Sequence, residues 1–415
     1  MSSVRYLLFI GLSLASAMLR GADSSVYMAA VTSDSNLSLQ ASLTAATGRL
    51  RLQDWTLQRR QVAQSRRDLG AAWLGDAPRL AGSWRDYDWN NNSELYEAEI
   101  YFTMPLWRAG ERKALRTAAE KDATLAALQA QARTLAAAAE VRRAYWRLLN
   151  ARTGIELLQQ LLTGAERYAK QMEARFEAGD VARTELLQSR QQVFEFRSQV
   201  LDAEAILIDA ARRWRLVTGL DTMPADAIER ASTTSVISEQ HPLLQLAMAE
   251  VDLLRSEVEA NRKTGNFRPE VSVGLKRENF DDRAAPLDSI GVGINIPLGR
   301  GKSNAVAVSR VQQRLLEAEI ALQNLRRELE ENLHEVRHQA HVNDSNLADS
   351  LKLVEIAQQV YTMQKLANEQ GEITVIEVLR AGQDLAEAQQ RYTLLSLARD
   401  ALVARYNQAV GVLPQ

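Results

Sequence analysis

His334-Glu335-Val336-Arg337-His338 is the stretch of this chain whose spacing matches a catalytic motif. Two His four residues apart share one helix face and can bind zinc, with the Glu between them as base. His341 adds a third imidazole one turn on. Peptidase chemistry would need a further ligand and a packed cleft. Here the motif lies midway along a helix of roughly 70 residues, off its Leu322, Leu325, Leu329, Leu333, Val336 seam. His334, His338 and His341 therefore read as a solvated face, or at most as a loose cation station. Two carboxylates draw attention by position instead: Glu185 and Glu377 each stand six residues after a glycine, Gly179 and Gly371. The sequence offers no Ser-His-Asp set, phosphate-binding glycine loop or nucleotide motif. No enzyme and no cofactor is expected, and any energy source must come from a partner.

The elements that carry these residues follow from composition. The chain has 415 residues, 50 Lys+Arg against 52 Asp+Glu, and a net charge of -2. A dedicated nucleic-acid binder would show a strong basic excess. There is no cysteine, which excludes disulfides, thiolate metal sites, Cys nucleophiles and lipidation on Cys. The eight prolines leave two proline-free windows, 106–223 and 298–413, of nearly equal length. Such windows suit very long helices, and their equality suggests a duplication.

The duplication can be traced residue by residue. Met104-Pro105-Leu106-Trp107-Arg108 resembles Ile296-Pro297-Leu298-Gly299-Arg300, GDVARTELLQSRQ after Gly179 resembles GEITVIEVLRAGQ after Gly371, and Gly219 matches Gly411. All three pairs share an offset of 192. Within each copy the pattern changes from period two to the helical period. Tyr96, Ala98, Ile100 and Phe102 alternate with Glu97, Glu99, Tyr101 and Thr103, as Ile290, Val292, Ile294 and Ile296 do with Ser289, Gly291, Gly293 and Asn295. That alternation marks strands with one apolar and one polar face; their hairpin partners are Leu80–Trp89 and Glu270–Phe280. Val193, Phe196, Val200, Ala203, Leu207, Ala210, Trp214 and Val217 then run at gaps of three and four. Leu385, Ala388, Tyr392, Leu395, Leu402, Tyr406 and Ala409 repeat the rhythm with a break at Arg399, the spacing of a knobs-into-holes seam.

The expected organisation is a signal peptide at 1–22, a first repeat at 23–220, a connecting segment at 221–239 and a second repeat at 240–415. The first repeat holds strands at about 79–104 and long helices at about 108–177 and 181–218. The second holds strands at about 270–296 and helices at about 299–370 and 373–410. Residues 1–22 read as an export signal: Arg5, the apolar run Tyr6–Leu14, and the small-residue site Ala15-Ser16-Ala17. No stretch reaches the 18 or so apolar residues of a spanning helix. Four amphipathic strands facing lipid would leave unpaired backbone at both sheet edges, which a bilayer forbids, and closure needs about eight strands or more. Several chains must then share one barrel, with Trp84, Tyr87, Trp89 and Trp107 suited to its interfacial girdles.

The duplicated order of strand hairpin and helical hairpin, the two PL[WG]R turns and the glycine-centred tips resemble TolC-like outer-membrane efflux proteins. The resemblance implies a mainly α fold with a β-barrel part. Three chains would form a 12-stranded β-barrel in outer-membrane lipid, continued by a 12-helix α-barrel across the periplasm. It implies an exit duct working with a periplasmic adaptor and an inner-membrane proton-driven RND-type transporter. The adaptor would meet the tips, at Arg175, Gly179, Val181, Gly371, Ile373 and Thr374. A periplasmic gate would involve Glu377, with Glu185 as its repeat equivalent. The family's second acid, one turn on, is Arg380 here and Gln188 in the other repeat, which suggests a Glu-Arg tie between helices in the closed gate. Many efflux members carry an acylated N-terminal Cys, and this chain has none. The turns and the short tail after Gly411 resemble the heavy-metal-cation branch more than the drug branch. The same fold also serves type I protein secretion; a periplasmic coiled-coil scaffold is the remaining alternative.

Overall fold

The computed structural model describes residues 31–87, 95–264, 268–279, 285–296, 302–370 and 372–414. The expected signal peptide, Trp89, the turn at 297–300 and Gly371 lie outside the described residues. The elements in order are β1 (Thr32–Asp34), α1 (Leu39–Arg49), α2 (Leu52–Ala71), β2 (Arg79–Asp86), β3 (Tyr96–Pro105), α3 (Glu111–Glu177), α4 (Arg183–Thr218), β4 (Thr222–Pro224), α5 (Pro242–Lys263), β5 (Glu270–Asn279), β6 (Leu287–Asn295), α6 (Lys302–Glu369) and α7 (Val375–Ala409). The chain divides into two compact units, one of residues 51–134 and 236–331 and one of residues up to 50, 135–235 and 332–415. The 67-residue α3 and 68-residue α6 run through both, about 100 Å each at ~1.5 Å per residue.

The first unit holds a four-stranded antiparallel sheet in the order β2-β3-β5-β6. Each repeat contributes one hairpin, and β3 pairs with β5 to join them, with Phe102 opposite Val273 and Ile100 opposite Leu275. The sheet is open: β2 and β6 are its edges.

The second unit holds the helical hairpins α3–α4 and α6–α7. Their seams match the three-four rhythm: Val200, Ala210, Trp214, Leu385, Ala388, Leu402 and Ala409 are buried. Arg399, the break in that rhythm, turns out to solvent and pairs with Asp344 at 3.2 Å. The segment 221–239, expected as a linker or equatorial segment, is built into the fold. Its strand β4 pairs in parallel with β1, Thr32 opposite Thr222 and Asp34 opposite Pro224. Around this ribbon lies a core of Leu39, Leu43, Val141, Tyr145, Leu148, Trp214 and Met223. The Trp214 indole N–H donates to the Thr222 carbonyl at 2.9 Å.

Candidate functional site

Three places in the molecule could carry function: the faces of the sheet, the belt around β1 and β4, and the hairpin tips. The register sorts the sheet side chains. One face carries the rows Leu80, Phe102, Val273, Val292 and Ile100, Leu275, Ile290, with Met104, Val271 and Ile294 beside them. This apolar face is the exposed one: Leu80 is 73% exposed, Ile290 75%, Val292 71% and Ile294 69%. The opposite face carries Glu97, Glu99, Lys276, Glu278 and Arg85, linked through Lys276 to Glu97 at 3.0 Å and Arg85 to Glu97 at 3.4 Å. Glu97 on that polar face is buried. In water this arrangement is inverted, because each exposed Leu, Ile or Phe forfeits roughly 1.5–3 kcal/mol of burial. Aromatics flank the apolar band: Trp84 stacks on Tyr96 with ring centroids 4.7 Å apart near the hairpin loops, and Trp107 follows β3 at the other end.

The belt contains a buried polar network that sequence reading missed. The Arg142 guanidinium grips the Glu229 carboxylate with two N–H donors at 2.7 and 2.6 Å. Its remaining arm donates to Gln408 Oε1 at 2.7 Å and to the Val412 carbonyl at 2.9 Å. Asn407 completes the set, donating to Glu229 Oε2 at 3.0 Å and accepting from the Ser232 amide at 2.8 Å. Both charges are paired and hydrogen-bonded, the condition under which buried ions are tolerated. Burial also pushes the Tyr145 hydroxyl up to about 12. The one available signal was an Arg at 142 within an Ala- and Val-rich run; its partners lie far off in sequence.

The first tip turns at the expected glycine. At Gly179 φ is +82°; its N–H donates to the Phe176 carbonyl at 3.0 Å and that of Asp180 to Arg175 at 2.9 Å. That pair of bonds is a Schellman ending, which favours glycine at the left-handed position. At the other tip the Glu372 amide donates to Ala367 at 2.9 Å and the Asn368 side chain to the Ile373 carbonyl at 2.8 Å. Glu377 lies in the first turn of α7, and its carboxylate accepts from the Thr374 amide at 2.9 Å and from the Thr374 hydroxyl at 3.2 Å. Within the chain, therefore, Glu377 caps its own helix rather than tying to Arg380. Glu185 lies half-buried in the first turn of α4, and its Oε2 has no hydrogen-bond partner. Burial raises the Tyr168 hydroxyl, with Arg380 and Arg175 lowering it and Glu185 raising it. Arg175, Glu185 and Arg380 thus act electrostatically on Tyr168, while Gln188 is exposed and Val181 half-buried on the first tip.

The His motif stays on solvent. His334, His338 and His341 are exposed, while Leu329, Leu333 and Val336 of the same helix are buried. Glu335 accepts from Gln339 at 2.8 Å. Among the described residues no group of three or more His, Asp or Glu side chains is arranged to hold a metal ion.

This fold, a four-stranded sheet joined to two pairs of long helices, is shared with solved outer-membrane channel proteins. The chain is similar in structure to the outer membrane protein VceC of the bacterial pathogen Vibrio cholerae, with a TM-score of 0.71 at 15% identity over 91% of this chain and 97% of that one. It is similar to the outer-membrane channel OprN, with a TM-score of 0.69 at 13% identity over 93% and 95%. It is also similar to CusC, with a TM-score of 0.68 at 17% identity over 90% and 92%. The family model for outer membrane efflux proteins matches residues 56–220. No curated protein sequence matches the chain. Among the described residues no helix is long and apolar enough to cross a membrane.

Proposed function

We propose that three copies of this chain close a 12-stranded barrel in the outer membrane and act as the passive exit duct of a tripartite efflux pump. The observation that carries this reading is the sheet: its apolar face is exposed, its charged side chains share the other face, and both edges are open. A bilayer rewards such a face and forbids such edges, so copies of the chain must supply the missing strands. In this reading the helical hairpins cross the periplasm and their tips meet an adaptor, while a proton-driven inner-membrane transporter supplies the energy. The inward face carries Glu97, Glu99, Glu270 and Glu278 against Arg79, Arg85 and Lys276. Tripled, that acid excess favours cations, in keeping with heavy-metal cargo.

The experiment is fractionation of the mature protein followed by electrophoresis with and without heating. The expected result is a heat-modifiable trimer in the outer membrane. A monodisperse soluble monomer obtained without detergent would overturn the reading. Loss of the gene should raise cellular accumulation of metal cations if the cargo assignment holds.

A further inference from the structure

Positive charge gathers where the sheet meets the helices. Residues 62–78, 106–117 and 258–269, which lead into β2, out of β3 and into β5, hold nine Arg and Lys against four Asp and Glu. The chain as a whole has a net charge of -2, so this excess is local. Among these segments opens a cavity of about 1110 Å³, beyond the roughly 300–1,000 Å³ of ordinary small-molecule sites.

Its wall is apolar, formed by Leu69, Trp73, Leu74 and Trp107, with Arg66 and Arg314 on its lining. Trp73 is 77% exposed and Leu69 69%. The wall is held in place: the Trp107 indole N–H donates to the Ala72 carbonyl at 3.0 Å, and the Arg268 guanidinium lies 5.3 Å from the Trp107 ring centroid. Arg268 is itself fixed by Glu111 at 2.7 Å. The two other cations retain donors. Arg314 is 3.9 Å from Glu257 and more than half exposed. Arg66 is 3.1 Å from Asp122, a carboxylate that Arg59 already holds at 2.6 Å, and 4.0 Å from the same Glu257 carboxylate, which lies on the lining beside both arginines. Ala77 and Pro78, also on the lining, lead directly to Leu80 on the exposed apolar face of the sheet.

We infer that this groove holds a glycerophospholipid, with an acyl chain along the Trp73–Trp107 wall and its phosphate between Arg66 and Arg314. Arg matches phosphate with two parallel donors, Trp belongs at the membrane–water interface, and basic pockets at that level take anionic headgroups. The inference rests on the reading of the sheet as membrane-embedded, since the groove continues the lipid-facing band. A free anion would not need the apolar wall, and a neutral amphiphile would not need the arginines.

The full-length protein, purified from outer membranes in mild detergent, should retain about one phospholipid per chain by native mass spectrometry and phosphorus analysis. Ala118→Trp, which fills the groove from its lining, combined with Arg314→Gln should cut that number by about tenfold. Arg314→Gln alone, at an exposed side chain, should weaken retention without risk to folding. Added phosphatidylglycerol should reload stripped wild type and not the double variant, and inorganic phosphate should not displace it. Wild type without lipid, or a double variant that keeps as much as wild type, overturns the inference. Heat-modifiability measured on the same samples separates the two readings. A lipid-free but intact trimer sinks only the groove, whereas protein absent from the membrane fraction sinks the duct and the groove together.

Discussion

Ala182 and Thr374 hold the same place in the two repeats and nearly the same backbone, with φ, ψ of -73°, 152° and -79°, 154°. Both precede a long helix whose third residue is Glu. The hydroxyl of Thr374 completes a capping box, so Glu377 is bound to its own helix start. Ala182 offers no hydroxyl, and Glu185 instead lies half-buried near Tyr168, Arg175 and Arg380 with an unpartnered oxygen. The two tips thus carry a carboxylate at the same helix position with different hydrogen-bond partners. The second tip spends its acid on stability, and the first keeps its acid available. The family resemblance favoured Glu377 as the gate residue; in the structure Glu185 is the acid of the two that is not bound into a cap.

The largest effect should come from the turn that the first tip depends on. Gly179→Val forces a β-branched residue to φ near +82°, at a cost of roughly 1–2 kcal/mol or more. No heavy atom lies within 4 Å of the added Cβ, so the harm is conformational and local to the tip. Export should be lost while the trimer still inserts. Full complementation in a resistance assay by this variant would mean that partners do not dock at this tip.

Next in size is the contrast between the acids. Glu185→Ala should change conductance and cation preference in planar bilayers more than Glu377→Ala does, because only Glu185 is not committed to a cap. The Glu377 effect should be mainly a loss of tip order. Exposed ion pairs contribute only about 0–1 kcal/mol, so high salt should shrink both differences. Equal changes from the two substitutions would erase the distinction drawn between the tips.

A smaller and opposite-signed pair isolates the cap itself. Thr374→Ala should destabilise the second tip by about 1 kcal/mol, and Ala182→Thr should stabilise the first by a similar amount if Glu185 swings into the new box. Hydrogen exchange of the first-turn amides of α4 and α7 reads both as local opening. If Ala182→Thr leaves α4 unchanged, Glu185 is held where it is by its neighbours.

What could be read from the sequence divides along the range of the interaction. Strand alternation and the three-four helix rhythm are local, and they located β3, β5, β6 and the four long helices closely; α4 and α7 begin at Arg183 and Val375 against expected starts near 181 and 373. The polarity of the sheet faces was equally legible, since Ile100 and Glu97 must point opposite ways. The belt was not. β1 and β4 are three residues each, too short to show a period, and Arg142 finds its partners at 229, 408 and 412. Nor could spacing tell that Glu185 would be sheltered and Glu377 capped, because that choice rests on whether residue 182 or 374 has a hydroxyl.

The subtlest difference between the tips concerns protons. Tyr168 belongs to the first tip, and its counterpart 192 residues on is Val360. Burial is the main cause raising the Tyr168 hydroxyl above its ordinary value of 10.0, with Arg380 and Arg175 opposing the rise and Glu185 adding to it. A group whose pKa is raised on folding stabilises the folded state fully below its unfolded value, and that contribution fades as pH climbs through the folded one. The first tip should therefore loosen above pH 10 while the second, with Val360, does not respond by this route. Limited proteolysis at the two tips, compared at neutral pH and above pH 10, would show the first becoming more sensitive. Tyr168→Phe should abolish that added sensitivity. Arg380→Gln should make Tyr168 harder still to ionise in the folded tip, because it removes a cation that favours the phenolate, and so should deepen the loosening without moving its onset. Equal pH responses at both tips, unchanged by Tyr168→Phe, would assign the effect to the helices at large.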